Sequence, residues 1–351
     1  YNFGYSDLYY DIVKSLVSLF AIYAAWIFSN QYLSRGKAFL FSFIFVLYPT
    51  HDSINYWTTG TYLLISGGLL MLSQFFVNNG RMHVGGMFGL IGAFWSYASP
   101  PIVAGLSVTF LLRREYRKFL IFVTPGFLYI IYYFTVSGFF EVHEFRTENI
   151  FNPYVTLKQF IFQVGTFLDV AIGPSLWLKL YSSITANTPL SFVFSFALTL
   201  ILFGISGSSR DDDSTALIIS FLVLLIASLF VFSLSGALPQ IAFNLGNRVT
   251  YFGSMFLALT VVLCFRNKFI KFLVIFVFSA SILGISNHWK SWNIQQKEVI
   301  HRIKSNDALN TVSSERVFIV GSQYSQLSEI SHIEFLSTRY LANAVFEYAR
   351  P

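Results

Sequence analysis

Runs of apolar residues, interrupted by single charges or by Gly, Pro and Asn, divide most of the chain into helix-length segments. The spans fall near residues 11–30, 37–49, 59–78, 83–98, 100–112, 117–138, 189–206, 215–235, 250–265 and 268–286. A bilayer core takes about 20 apolar residues per helix. The stretches 37–49, 83–98 and 100–112 are short by that measure, and tilting, a kink at Pro100 and Pro101 or partial insertion would accommodate them. The runs are too long and continuous for barrel strands, and lipid offers no water to an open backbone, so helices are expected. The pattern then changes. From His288 to Pro351 the chain is polar enough to face water, with an amphipathic helix over Ser291 to Lys304 and a strand over Val317 to Val320 before Gly321. The expected architecture is an all-α polytopic membrane protein, with about ten transmembrane helices over residues 1–287 and a small α+β tail over 288–351.

Composition agrees with that pattern. Of 351 residues, 55% are hydrophobic and 11% charged, and the mean hydropathy is +0.60. A soluble domain carries about 25% charged residues because its surface needs them. The net charge of +6 does not point to nucleic acid, because the basic residues are dispersed between apolar runs instead of forming a stripe. Alternate short loops hold Arg35 and Lys37; Arg81; Arg113, Arg114, Arg117 and Lys118; Arg210; and Arg266, Lys268 and Lys271. These are eleven of the 23 Lys and Arg residues, and the positive-inside rule makes that side cytoplasmic. Both ends of the chain then face outward, as do loops at 48–58, 138–188 and 236–250. The chain begins at Tyr1 without a signal sequence, and one further span upstream would return the N-terminus to the cytoplasm. The single cysteine, Cys264, excludes internal disulfides and thiolate clusters and is expected to be buried and inert.

Candidate chemistry sits in the outward segments. Asp52 lies a few residues from two apolar spans, beside His51 and ahead of Asn55, Tyr56 and Trp57. An ionised group near lipid needs a partner or a task. A carboxylate there could act as general base toward a hydroxyl, with His51 tuning it or binding phosphate. The aromatics could stack on a sugar or anchor the helix at the interface, and Asp52 could instead cap the next helix. Arg248, in Asn244-Leu245-Gly246-Asn247-Arg248, is the one basic residue of its loop and suits a bidentate phosphate contact. Asp169 interrupts the near-apolar run from Phe160 to Leu178, in a segment that also carries Gly173, Pro174 and Lys179; it either lines a polar cavity or is exposed at the interface. The cluster Glu141, His143, Glu144, Arg146 and Glu148 lacks zinc-site spacing, and Asp211 to Asp213 read as a solvated turn. Phosphate-cradling, dinucleotide and nucleophile-elbow motifs are absent from the sequence. The spacing of Arg81 and Gly92 matches one seen in some polysaccharide ligases, but on the cytoplasmic side.

Taken together, the spans, the acid close to the membrane in Tyr48-Pro-Thr-His-Asp-Ser-Ile-Asn-Tyr-Trp57 and the polar outward tail resemble the GT-C class of integral-membrane glycosyltransferases. That resemblance implies transfer of a sugar from a polyprenyl-phosphate donor to a glycan or lipid hydroxyl acceptor on the non-cytoplasmic face. It matches Asp52, with His51, to a second outer-loop acid as the catalytic pair. Arg248 would be a phosphate contact by location, and Asn55, Tyr56, Trp57 and Asp169 would bind substrate. The first outer loop, which commonly supplies the base in that class, would lie mostly upstream, with Asp7 and Asp11 either as its last acids, placed to bind substrate, or as simple pre-helix residues. No metal is demanded, although a divalent cation bridging Asp52 to phosphate is compatible with the pattern. The other readings are a polymerase or ligase of lipid-linked glycans, a flippase or transporter, and a scaffold subunit. Transporters tend to show internal repeats and broken helices, and this chain has breaks at Ser99-Pro-Pro101 and Thr124-Pro-Gly126 but no repeat. Paired cysteines are absent, which leans toward a bacterial cytoplasmic membrane.

Overall fold

The computed structural model describes residues 7–139, 152–206, 214–235, 239–264, 267–306, 324–336 and 339–349. The helices are α1 (Asp7–Ser29), α2 (Arg35–Val46), the short α3 (Ser53–Tyr56), α4 (Tyr62–Asn78), α5 (Met82–Trp95), α6 (Pro100–Leu112) and α7 (Tyr116–Phe139). They continue with α8 (Pro153–Ala171), α9 (Pro174–Thr185), α10 (Pro189–Ile205), α11 (Ser214–Ser235), α12 (Tyr251–Cys264) and α13 (Lys268–Ser305). A hairpin of β1 (Tyr324–Leu327) and β2 (Ile330–Glu334), then α14 (Arg339–Ala349), completes the tail. Proline opens α6, α8, α9 and α10, where its missing N–H costs nothing and its fixed φ suits the first turn.

Every interval read as a span coincides with a helix. Among the described residues, seven helical segments are long and apolar enough to cross a bilayer, and α5, α6 and α10 are shorter apolar helices. The chain is therefore an all-α integral-membrane protein. Helix α2, at 12 residues, rises only about 18 Å against a hydrocarbon core of about 30 Å, so length alone does not make it a crossing. Pro125 lies inside α7 without ending it, so the expected break there does not occur. Cys264, expected to be buried, is exposed at the end of α12, on the opposite side of the last turn from buried Val262.

Lipid gives helices no hydrophobic reason to associate, so close approach and hydrogen bonds must hold them together. Gly85 and Gly92 place α5 directly on α4: a Cβ on Gly85 would stand 2.5 Å from Val77, and one on Gly92 would stand 3.0 Å from Leu69. Ser73 and Ser66 of α4 donate to the carbonyls of those two glycines, each at 2.7 Å. Gly92 is thus a packing residue. Helices α6 and α11 repeat the device, with Ser220 donating to the Gly105 carbonyl at 2.7 Å. Buried Gln74 joins three elements by donating to Tyr32 at 2.5 Å and Thr109 at 3.0 Å while accepting from Gln31 at 3.0 Å.

Helix α13 differs from expectation. Its 38 residues extend about 57 Å, so the anticipated span and amphipathic tail helix form one rod, with no proline between them to end it. Its second half projects beyond the apolar core and carries the hairpin. The strand expected at Val317 to Val320 lies outside the described residues, as do Glu141 to Glu148, Arg210 to Asp213 and the side chain of Asp7. Helices α8 and α9 both touch loops at one end of the bundle. The Gln240 N–H donates to Thr166 of α8 at 3.2 Å, and Lys179 of α9 reaches Asp52.

Candidate active site at the Asp52 end of the bundle

Asp52 follows a 3₁₀ turn over Pro49–His51 and precedes α3. Its carboxylate makes no capping bond to α3, so it is free to turn inward, where it is 2% exposed. Four donors from four other segments converge on it. Lys179 of α9 reaches Oδ1 at 3.1 Å, and Asn247, in the 3₁₀ stretch Leu245–Thr250, reaches the same oxygen at 2.5 Å. Trp289 of α13 donates its indole N–H to Oδ2 at 2.6 Å, and His332 of β2 meets Oδ2 at 3.0 Å. The Asn244 backbone N–H donates to Nδ1 of His332 at 3.1 Å. That nitrogen therefore carries the lone pair, and Nε2 carries the proton given to Asp52. Lys179 Nζ also lies 2.7 Å from the same Nε2, so the lysine, the imidazole and the carboxylate form one compact cluster.

The electrostatics follow from these contacts. Burial works to raise the Asp52 carboxyl, but the Lys179 ammonium, His332 and the hydrogen bonds from His332 and Trp289 outweigh it. They hold the group well below the ordinary carboxylate range. Burial, and then the nearby Lys179 charge, lower His332, which stays neutral. Asp52 is thus a fully ionised, fully satisfied anchor and a weak proton acceptor. A cation bridging it to phosphate would have to displace Lys179. Among the described residues, no group of three His, Cys, Asp or Glu side chains could hold a metal ion.

Beside this cluster opens a cleft of about 790 Å³. Rings of Tyr10, Tyr56, Trp57, Trp289 and Trp292 line it together with amides of Asn55, Asn293 and Gln296, the carboxylates of Asp11 and Glu334, and the amines of Lys14 and Lys290. Trp289 belongs to both places. Its N–H is tied to Asp52 while its ring stacks on Tyr56, centroids 5.6 Å apart and planes 14° apart. The buried ion pair thereby fixes the aromatic wall of the cleft.

The structure brings Asp52, Asn55, Tyr56, Trp57 and Asp11 together here. Asn55 spends its amide on structure, donating to the Val46 carbonyl at 2.8 Å and accepting from Ser18 at 3.1 Å. Asp11 pairs with Lys14 at 2.8 Å. His51 is not Asp52's partner. It points the other way, with Nε2 3.2 Å from the Val46 carbonyl and Nδ1 2.9 Å from Ser254 Oγ, because successive residues of a tight turn project in different directions. Burial lowers it to about 4. Arg248 lies behind the cleft wall, not in it: it donates to the Leu245 carbonyl at 2.9 Å and sits 5.3 Å above the Trp57 ring, a cation–π contact. Asp169 lines no part of the cleft, since its carboxylate accepts from the Ser175 N–H at 3.2 Å and from the Ser175 hydroxyl. It thereby caps α9, the helix that bears Lys179.

Sequence reasoning missed His332, Trp289 and the role of Lys179. Lys179 had a signal, as a lone cation in an apolar helix facing a lone carboxylate elsewhere. His332 had none, being 280 residues from its partner. Fold and site together define a helical integral-membrane protein with an aromatic, polar cleft at one end. No protein-family model, curated protein or solved structure matches the chain.

Proposed function

We propose that this protein is a membrane glycosyltransferase of the GT-C kind, moving a sugar from a polyprenyl-phosphate donor to a hydroxyl of a glycan or lipid acceptor. The observation that carries the reading is the cleft of about 790 Å³, in which six aromatic rings, Phe335 included, stand among amides and carboxylates at the membrane edge. Flat rings cover the C–H faces of a sugar while amides and carboxylates pair with its hydroxyls, the combination of apolar walls and few placed polar groups expected of a ligand site. Among the described residues Arg35, Arg81, Arg113, Arg117 and Lys118 lie at the opposite end, which supports a cleft facing away from the cytoplasm; the reading is completed by about ten crossings of a bacterial cytoplasmic membrane.

In this reading Asp52 is a positioning residue that holds Trp289. Glycosyl transfer needs a group to accept the acceptor's proton, and the carboxylates able to do so in the cleft are Asp11 and Glu334. Full-length protein in nanodiscs, offered polyprenyl-phosphate sugars and candidate acceptors, tests this. Asp11→Asn or Glu334→Gln should lower kcat by roughly 100-fold or more, whereas Trp57→Ala should act mainly on KM. Absence of transfer across a broad donor set, with lipid-linked sugar still crossing a proteoliposome membrane, would sink the reading in favour of a flippase.

A further inference from the structure

At the end of the bundle opposite Asp52, one helix length along α4, lies a second crevice of about 850 Å³ between the start of α5 and the start of α7. Arg81, His83 and Arg117 stand at its mouth, and Met87, Leu90 and Ile121 form apolar walls. None of the three polar side chains makes a hydrogen bond or ion pair among the described residues. The neighbouring loop adds Arg113, Arg114 and Lys118, while its one carboxylate, Glu115, is already paired with Lys118 at 2.7 Å. Two guanidiniums, Arg81 and Arg117, with no carboxylate facing them among the described residues, over an apolar groove at a membrane edge call for an amphiphile of opposite charge.

We propose that this crevice binds an anionic phospholipid, its phosphate between Arg81 and Arg117 with His83 beside it and an acyl chain along Met87, Leu90 and Ile121. Two guanidiniums suit phosphate because each presents paired N–H donors. Basic residues positioned by topology thus form a defined lipid site. The basic loops in general draw the chain toward anionic headgroups; the crevice adds a shape that retains one molecule.

Native mass spectrometry of the full chain tests this, using phosphatidylglycerol and phosphatidylcholine of identical chains. The wild type should retain one phosphatidylglycerol in preference to phosphatidylcholine. Arg81→Gln with Arg117→Gln should weaken that binding roughly tenfold, while Arg113→Gln with Arg114→Gln, equal in charge but outside the crevice, should change it less than about twofold. Leu90→Asn should also weaken retention without altering charge, and millimolar inorganic phosphate should not displace the lipid. Melting temperatures within a few degrees of wild type establish that the variants fold. Equal retention of the two lipids, or equal loss in both double variants, would overturn the site. Displacement by inorganic phosphate would overturn the lipid assignment in favour of a free anion.

Discussion

Replacing Lys179 by methionine keeps the length of the side chain and deletes its charge, leaving Asp52 ionised in a place with 2% exposure. At the observed 3.1 Å and an effective dielectric near 20, the lost attraction is about 5 kcal/mol. Breaking a buried pair from one side costs about 3–5 kcal/mol in comparable sites. Neither partner is exposed enough for solvent to screen the loss. The expected effect is destabilisation of about 3–5 kcal/mol, or a melting temperature lower by roughly 6–10 °C. Asp52→Asn should cost a similar amount, because Lys179 is then the uncompensated charge. The double variant should be less damaged than the sum of the two by about 2 kcal/mol or more, since it carries no orphaned charge. Equilibrium unfolding in mixed micelles, followed by tryptophan fluorescence, gives the three free energies. Additivity within about 0.5 kcal/mol would refute the reasoning, for it would mean that the two groups do not sense one another.

Acid should destabilise the protein in two stages. His51 titrates near 4 in the fold against about 6.5 unfolded. Its contribution is complete above pH 6.5 and is lost as pH falls to 4, on the order of 3 kcal/mol. His51→Gln should reduce the slope of melting temperature against pH in that window, the remainder coming from His332, which burial also holds neutral. The Asp52 carboxyl is also depressed, so its stabilisation is present above about pH 4 and disappears only at lower pH; Asp52→Asn should remove that lower limb alone. Gly284→Ala would put a Cβ 1.7 Å from the Ser183 carbonyl oxygen, forcing α13 from α9 and separating Trp289 from Lys179. A loss of about 1–3 kcal/mol and slower sugar transfer are expected from thermal unfolding and transfer assays. His332→Ala should speed hydrogen exchange over 324–336 at a cost of about 1–3 kcal/mol, whereas exposed Ser331→Ala should leave that exchange unchanged.

The sequence alone determined that the protein is helical and lives in a membrane, and where most of its apolar helices lie, although the stretch read as an outward loop over 138–188 contains α8 and α9, which together are long and apolar enough to cross a bilayer. Those properties depend on neighbours along the chain: apolar runs from Leu8 to Ser29 or Ser214 to Ser235 satisfy their backbone only as helices. It also drew attention to Asp52, Asn55, Tyr56 and Trp57, because polar groups between two apolar spans must be doing something. What Asp52 does was decided only in three dimensions. Adjacency suggested His51, yet the turn sends that ring to Val46 and Ser254, and the partners arrive from residues 179, 247, 289 and 332. A charge buried in low dielectric selects whatever opposite charge and donors the fold brings within about 3 Å, and chain separation leaves no trace in local pattern. The same holds for Arg81 and Arg117. Their positions along the chain give an expected orientation, but only the packing of α5 against α7 brings both to one crevice.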